Sequence, residues 1–130
     1  MVGRSRGGDG RPSGGLVIPD VSQLRIFVRP GITDMRKQID GLAALVRDAM
    51  KHNPLDGSLY LFAGMGGRRL KVLYWDRNGF CLWQKRLEAD RFPWPREEGE
   101  ARSITADQLT MLLDGIDFWR AHQRREYKNL

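Results

Sequence analysis

Residues 58–87 constrain the fold more than any other part of the chain. Three apolar stretches, residues 58–63, 69–75 and 80–87, are each long enough for a β-strand and too short for an ordinary helix. The breaks between them are Gly64-Met65-Gly66-Gly67 and Asp76-Arg77-Asn78-Gly79. The second break ends in Asn-Gly, the pair that most readily adopts the positive φ values a tight hairpin needs. A three-stranded meander is therefore expected here.

The flanking segments supply the rest of a domain. In residues 23–29, Leu24, Ile26 and Val28 alternate with Arg25, Phe27 and Arg29, which predicts a strand ended by Pro30-Gly31. A helix follows, with Thr33 or Asp34 expected to cap its first N–H groups. Met35, Ile39, Leu42, Val46 and Ala49 form its apolar stripe, and Gly41 suggests close packing against a strand. Asn53-Pro54 and Asp56-Gly57 close the helical region. A further short strand is expected at residues 91–94, and residues 96–102 read as a polar loop. Thr105 and Gln108 match a capping box ahead of a helix with Leu109, Leu112, Leu113 and Ile116 on its apolar side. The fold class is α+β: a small antiparallel sheet of four to five strands in the order β-α-β-β-β, with two main helices. The expected organisation is a disordered Gly/Arg-rich arm at 1–16, a single domain at 17–119, and a basic tail or helix extension at 120–130.

Charge narrows the function classes. The 130 residues carry a net charge of +6. The excess lies in residues 21–95, where 13 Lys and Arg face seven acids. Such a surface favours a polyanion through long-range attraction and counterion release. The single cysteine, Cys81, excludes an internal disulfide framework, and no apolar run approaches the roughly 18 residues of a membrane helix. A cytoplasmic protein without membrane contact is expected.

Motifs with catalytic connotations have plainer readings. The glycine-rich run at 64–67 lacks a Gly-Lys-Ser/Thr ending and leads into a strand, so it reads as a turn and not a phosphate loop. Asp34, Asp76 and Glu88 are conceivable two-metal nuclease acids, but each has a structural position, as cap, turn opener or strand end. His52 and His122 lack partners at metal-ligand spacing, and Cys81 reads as a small core residue. No catalytic residue, metal or cofactor is expected. A basic and aromatic constellation is more suggestive. Arg69, Lys71 and Trp75 share one face of their strand, and Cys81, Trp83 and Lys85 share one face of the next. Lys71, Trp75, Trp83 and Lys85 are thus expected on one surface suited to phosphates and unpaired bases, with Arg86 pointing away. The competing reading packs both tryptophans under the helices. The full candidate set for nucleic-acid contact is Arg36, Lys37, Arg68, Arg69, Lys71, Trp75, Arg77, Trp83, Lys85, Arg86 and Arg91.

Several ordered blocks resemble a known family. They are Thr33-Asp34-Met35-Arg36-Lys37 with Asp40-Gly41-Leu42-Ala43-Ala44-Leu45-Val46, Leu70-Lys71-Val72-Leu73-Tyr74-Trp75-Asp76, and residues 79–88 followed by Arg91-Phe92-Pro93-Trp94-Pro95. The closing helix with Leu112-Leu113-Asp114-Gly115-Ile116 completes the pattern. Together they resemble the TnpB-type accessory protein, the second open reading frame, of the bacterial insertion-sequence family numbered sixty-six. The resemblance implies a non-enzymatic assistant of transposition, encoded beside a larger DDE-type transposase that carries the catalytic acids. The partners it implies are that transposase and other element-encoded proteins, and the basic middle block adds element DNA. A pure protein-interaction subunit and a metal-dependent nuclease are the alternatives.

Overall fold

Among the described residues, local chemistry builds five strands into one sheet and two α-helices that cover its two faces. The structure, a computed structural model, describes residues 23–119, so the expected arm at 1–16, the tail at 120–130 and His122 lie outside the described residues. The elements are β1 (Ile26–Val28), α1 (Ile39–Asp48), β2 (Leu59–Ala63), β3 (Arg69–Asp76), β4 (Gly79–Arg86), β5 (Arg102–Ile104) and α2 (Ala106–Leu113). The strand order across the sheet is β4-β3-β2-β1-β5. The sheet is mostly antiparallel, as the sequence pattern implies. The exception is β1 with β2, which run parallel because α1 carries the chain back between them. Among the described residues, no helix is long and apolar enough to cross a membrane.

Burial divides by sheet face. Leu42, Ala43 and Val46 of α1 pack with Met50 on Tyr60, Phe62 and Leu73. On the opposite face, Leu109 and Leu112 of α2, with Phe92 and Phe118, cover Ile26, Val28, Leu59, Leu61, Leu70 and Val72. The central strand β2 therefore loses polar alternation altogether: all five of its residues are buried.

Four expectations need correction. Thr33 and Asp34 do not cap α1, whose N-cap is Gln38 without a side-chain bond. Their polar groups are used in the preceding loop instead. Thr33 Oγ1 accepts from Arg29 Nη1 at 2.9 Å, and Asp34 Oδ1 accepts from the Arg36 backbone N–H at 2.9 Å. Ala49, placed on the buried stripe, is exposed, and Met50 takes that role. Gly41 lies against the Lys37 side chain of its own helix region, not against a strand. The short strand expected at 91–94 is absent, because Pro93 and Pro95 have no N–H to give a ladder. Its place as fifth strand is taken by β5, in a segment whose start reads as polar loop, and which pairs antiparallel with β1. The capping box forms as expected: the Thr105 hydroxyl accepts from Gln108 N at 3.0 Å, and Gln108 Oε1 accepts from Thr105 N at 2.9 Å.

Candidate nucleic-acid interface

The β3–β4 hairpin decides where the candidate residues lie. In its register Lys71 pairs with Gln84, Val72 with Trp83 and Trp75 with Phe80. Directly paired residues point to the same face. Lys71 and Trp75 therefore share the α1 face with Phe80 and Gln84, while Trp83 and Lys85 share the α2 face with Val72 and Leu70. The expected single surface of Lys71, Trp75, Trp83 and Lys85 does not exist. Arg86 does point away from Lys85. Trp83 is half-buried against the α2-side core, and Trp75 is half-buried with its ring edge-on to Phe80, centroids 5.1 Å apart.

Lys71 departs furthest from the expectation. Only 3% of it is exposed. Its ammonium donates to the carbonyl oxygens of Met35 at 2.9 Å and Lys37 at 2.8 Å. Burial, and secondarily the charge of Arg69, lowers its pKa. Lys71 is a clamp that ties the loop before α1 to the sheet. The same loop is pinned by Thr33 N donating to Ala63 O at 2.8 Å. Met35 lies so close over Gly64 that a Cβ there would overlap its Cγ.

A different set of cations is brought together. Arg69 pairs directly with Arg86 at the end of the hairpin furthest from its turn, and Lys85 precedes Arg86 in β4. Leu87 N donates to Arg68 O at 2.8 Å, and Phe92 N donates to Gly67 O at 2.7 Å, which sets Arg91 beside the 64–67 turn. Arg68, Arg69, Lys85, Arg86 and Arg91 thus gather at one end of the sheet, all exposed. Glu88 accepts from Arg86 Nε at 2.9 Å. Among the described residues, Arg68, Arg69, Lys85 and Arg91 have no carboxylate partner. Like charges directly opposite in a sheet are destabilising, and the Glu88 carboxylate on Arg86 offsets part of that cost for the Arg69–Arg86 pair. Of the other candidates, Arg77 sits at the far hairpin turn with φ +53°. Lys37 is exposed. Arg36 forks onto Asp34, with Nη2 to Oδ2 at 2.7 Å. That hydrogen bonding holds the Asp34 carboxyl well below the usual range.

A shallow groove of about 470 Å³ adjoins the cluster, between loop 32–36 and the side chains of Met65 and Arg69. Met65 is 82% exposed and Ile32 56% exposed. Neither was singled out from the sequence, although an apolar residue set among turn glycines is a legible signal.

The conceivable nuclease acids do not converge. Asp34 and Glu88 are held by arginines. Asp76 sits at the turn end of the hairpin and Glu88 beyond the other end. Seven residues of strand separate those ends, about 20 Å, far beyond the ~4 Å spacing of a two-metal site. Among the described residues, no group of three His, Cys, Asp or Glu is placed to hold a metal. His52 packs tilted against Phe27, ring centroids 4.3 Å apart, and its Nδ1 lies 2.7 Å from Met50 O. Cys81 is half-exposed, not a core residue, because β4 is an edge strand.

The profile of the family described as "IS66 Orf2 like protein" matches residues 24–123. An uncharacterized protein, y4hO, of Sinorhizobium fredii (strain NBRC 101917 / NGR234) is 45% identical over 107 residues, covering 82% of this chain and 92% of the relative. A second from the same organism, uncharacterized protein y4jC, is 32% identical over 101 residues, covering 78% and 86%. No solved structure matches the chain.

Proposed function

The chain belongs to the IS66 Orf2-like family of insertion-sequence accessory proteins, and on that premise we propose that it assists transposition without catalysis, by gripping the phosphate backbone of element DNA. The observation that carries this reading is the cluster of Arg68, Arg69, Lys85, Arg86 and Arg91. Four of its five cations lack carboxylate partners among the described residues, and two stand directly opposite each other. Contacts of this kind position a protein on DNA without reading its sequence. The DDE-type transposase of the same element is the partner that supplies the chemistry. The half-exposed apolar edge of β4 favours docking on that protein as a second mode of assistance.

The test is a salt titration of DNA binding by the full chain. Each phosphate contact contributes about 0.9 to the slope of log affinity against log salt. Arg68→Ala, Arg69→Ala and Lys85→Ala combined are expected to lower that slope by roughly two to three. Absence of binding to both element ends and mixed-sequence duplex at low salt overturns the reading.

A further inference from the structure

Met65 is the most exposed large apolar side chain among the described residues. It opens a 3₁₀ turn, Met65–Gly67, that joins β2 to β3. That tip is firmly held. Gly66 and Gly67 sit at φ +83° and +73°, a backbone that favours glycine. Gly67 N donates to Gly64 O at 3.0 Å, Gly64 N donates to Arg69 O at 3.1 Å, and Gly67 O accepts from Phe92 N at 2.7 Å. An apolar side chain is thus presented to water on a fixed stalk, three and four residues ahead of Arg68 and Arg69. Ile32 forms a second apolar wall across the groove.

Neither feature alone identifies a ligand, but together they restrict it. A purely apolar partner would leave Arg69, which lines the groove beside Met65, without a counter-ion. A fully solvated phosphate chain would give Met65 nothing to touch. Duplex DNA entered from its minor groove satisfies both. Arginines are drawn to the negative potential of a narrow minor groove, and apolar side chains inserted there part adjacent base pairs and kink the helix. We infer that Met65 is a wedge that unstacks one base step while Arg68, Arg69 and the facing Arg86 hold the flanking phosphates, so that the protein bends the DNA it binds. This rests on the phosphate-binding reading above and adds to it a DNA deformation.

The experiment uses the full chain with end-labelled duplexes of about 30 base pairs, a length at which a bend is readily seen. Energy transfer between the ends reports bending, and internal 2-aminopurine reports unstacking. Anisotropy reports binding in the same samples. The wild-type chain is expected to raise energy transfer, through a bend of about 20–90°, and to raise 2-aminopurine emission. Met65→Ala is expected to keep salt-dependent binding and lose both signals, and Met65→Leu to restore them. Binding by wild type without either signal, or full bending by Met65→Ala, overturns the wedge and leaves phosphate binding intact. If wild type retains no DNA, the phosphate reading fails as well. If Met65→Glu then also abolishes co-purification with the transposase, Met65 is a protein-docking residue and the wedge is overturned.

Discussion

Replacing Lys71 by methionine separates structural from surface lysines, because the exchange keeps the length of the chain and removes its charge and donors. Two hydrogen bonds from a charged donor are lost, at about 1.5–3 kcal/mol each. Against this stands the recovered penalty of burying an ammonium group, which amounts to a few kcal/mol. The two carbonyl acceptors, Met35 O and Lys37 O, belong to a loop of mostly exposed residues, so water can reach them in part. The net destabilisation is expected to be about 2–3 kcal/mol. In urea that lowers the midpoint by roughly 1–2 M for a small domain. Tryptophan fluorescence follows the transition. Lys85→Met is the matched control: Lys85 is exposed, so its stability should stay within about 0.5 kcal/mol of wild type. DNA binding should sort the pair the other way, with the salt slope falling by about 0.9 for Lys85→Met and unchanged for Lys71→Met. A Lys71→Met variant as stable as wild type, with a reduced salt slope, would refute the clamp and restore Lys71 to the binding surface.

Two further outcomes follow from local geometry. Burial, with Cys81 beside it, pushes the Tyr74 hydroxyl up to about 12, and burial with Asp56 raises that of Tyr60. Both folded values exceed the ordinary 10.0, so the stabilisation is complete below pH 10 and is lost as pH rises through 10 towards 12. Tyrosinate absorbance from these two should emerge above pH 10 together with unfolding, and one ordinary midpoint for all three tyrosines would contradict it. Thr105→Ala removes the hydroxyl of the capping box and should cost about 1 kcal/mol in urea unfolding, with Thr105→Ser close to neutral. An unchanged midpoint in the alanine variant would show that α2 is held by the packing of Leu109 and Leu112 and not by the Thr105 hydroxyl.

Much of the fold was legible because it follows from short-range chemistry. The meander was marked by glycine-bearing turns, α2 by its capping box, and the core of α1 by Leu42 and Val46 at helical spacing. Even the separation of Lys71 from Lys85 was available. A two-residue loop closing Asp76 against Gly79 makes the numbers of paired residues sum to 155, so an odd-numbered residue on β3 faces the same way as an even-numbered one on β4. Lys71 and Lys85, both odd, must then lie on opposite faces. The expectation of one surface failed on register, not for want of information. The start of α1 was misplaced for another reason. Asp34 has the right side chain to cap, but it caps a single turn at Arg36, three residues before the helix begins.

The sequence by itself determined the three-stranded meander, the two helices and the basic character of the middle of the chain, because periodicity, turn residues and charge act within a few residues. Only the tertiary structure decided which cations are free. Lys71 is buried because the loop ahead of α1 crosses β3, a contact across 34 to 36 residues. Arg91 joins Arg68, Arg69, Lys85 and Arg86 because residue 92 bonds to the turn at Gly67. Met65 stands exposed among them because that turn is fixed from outside. Such placements depend on which distant backbone groups satisfy one another, and no local pattern encodes that choice.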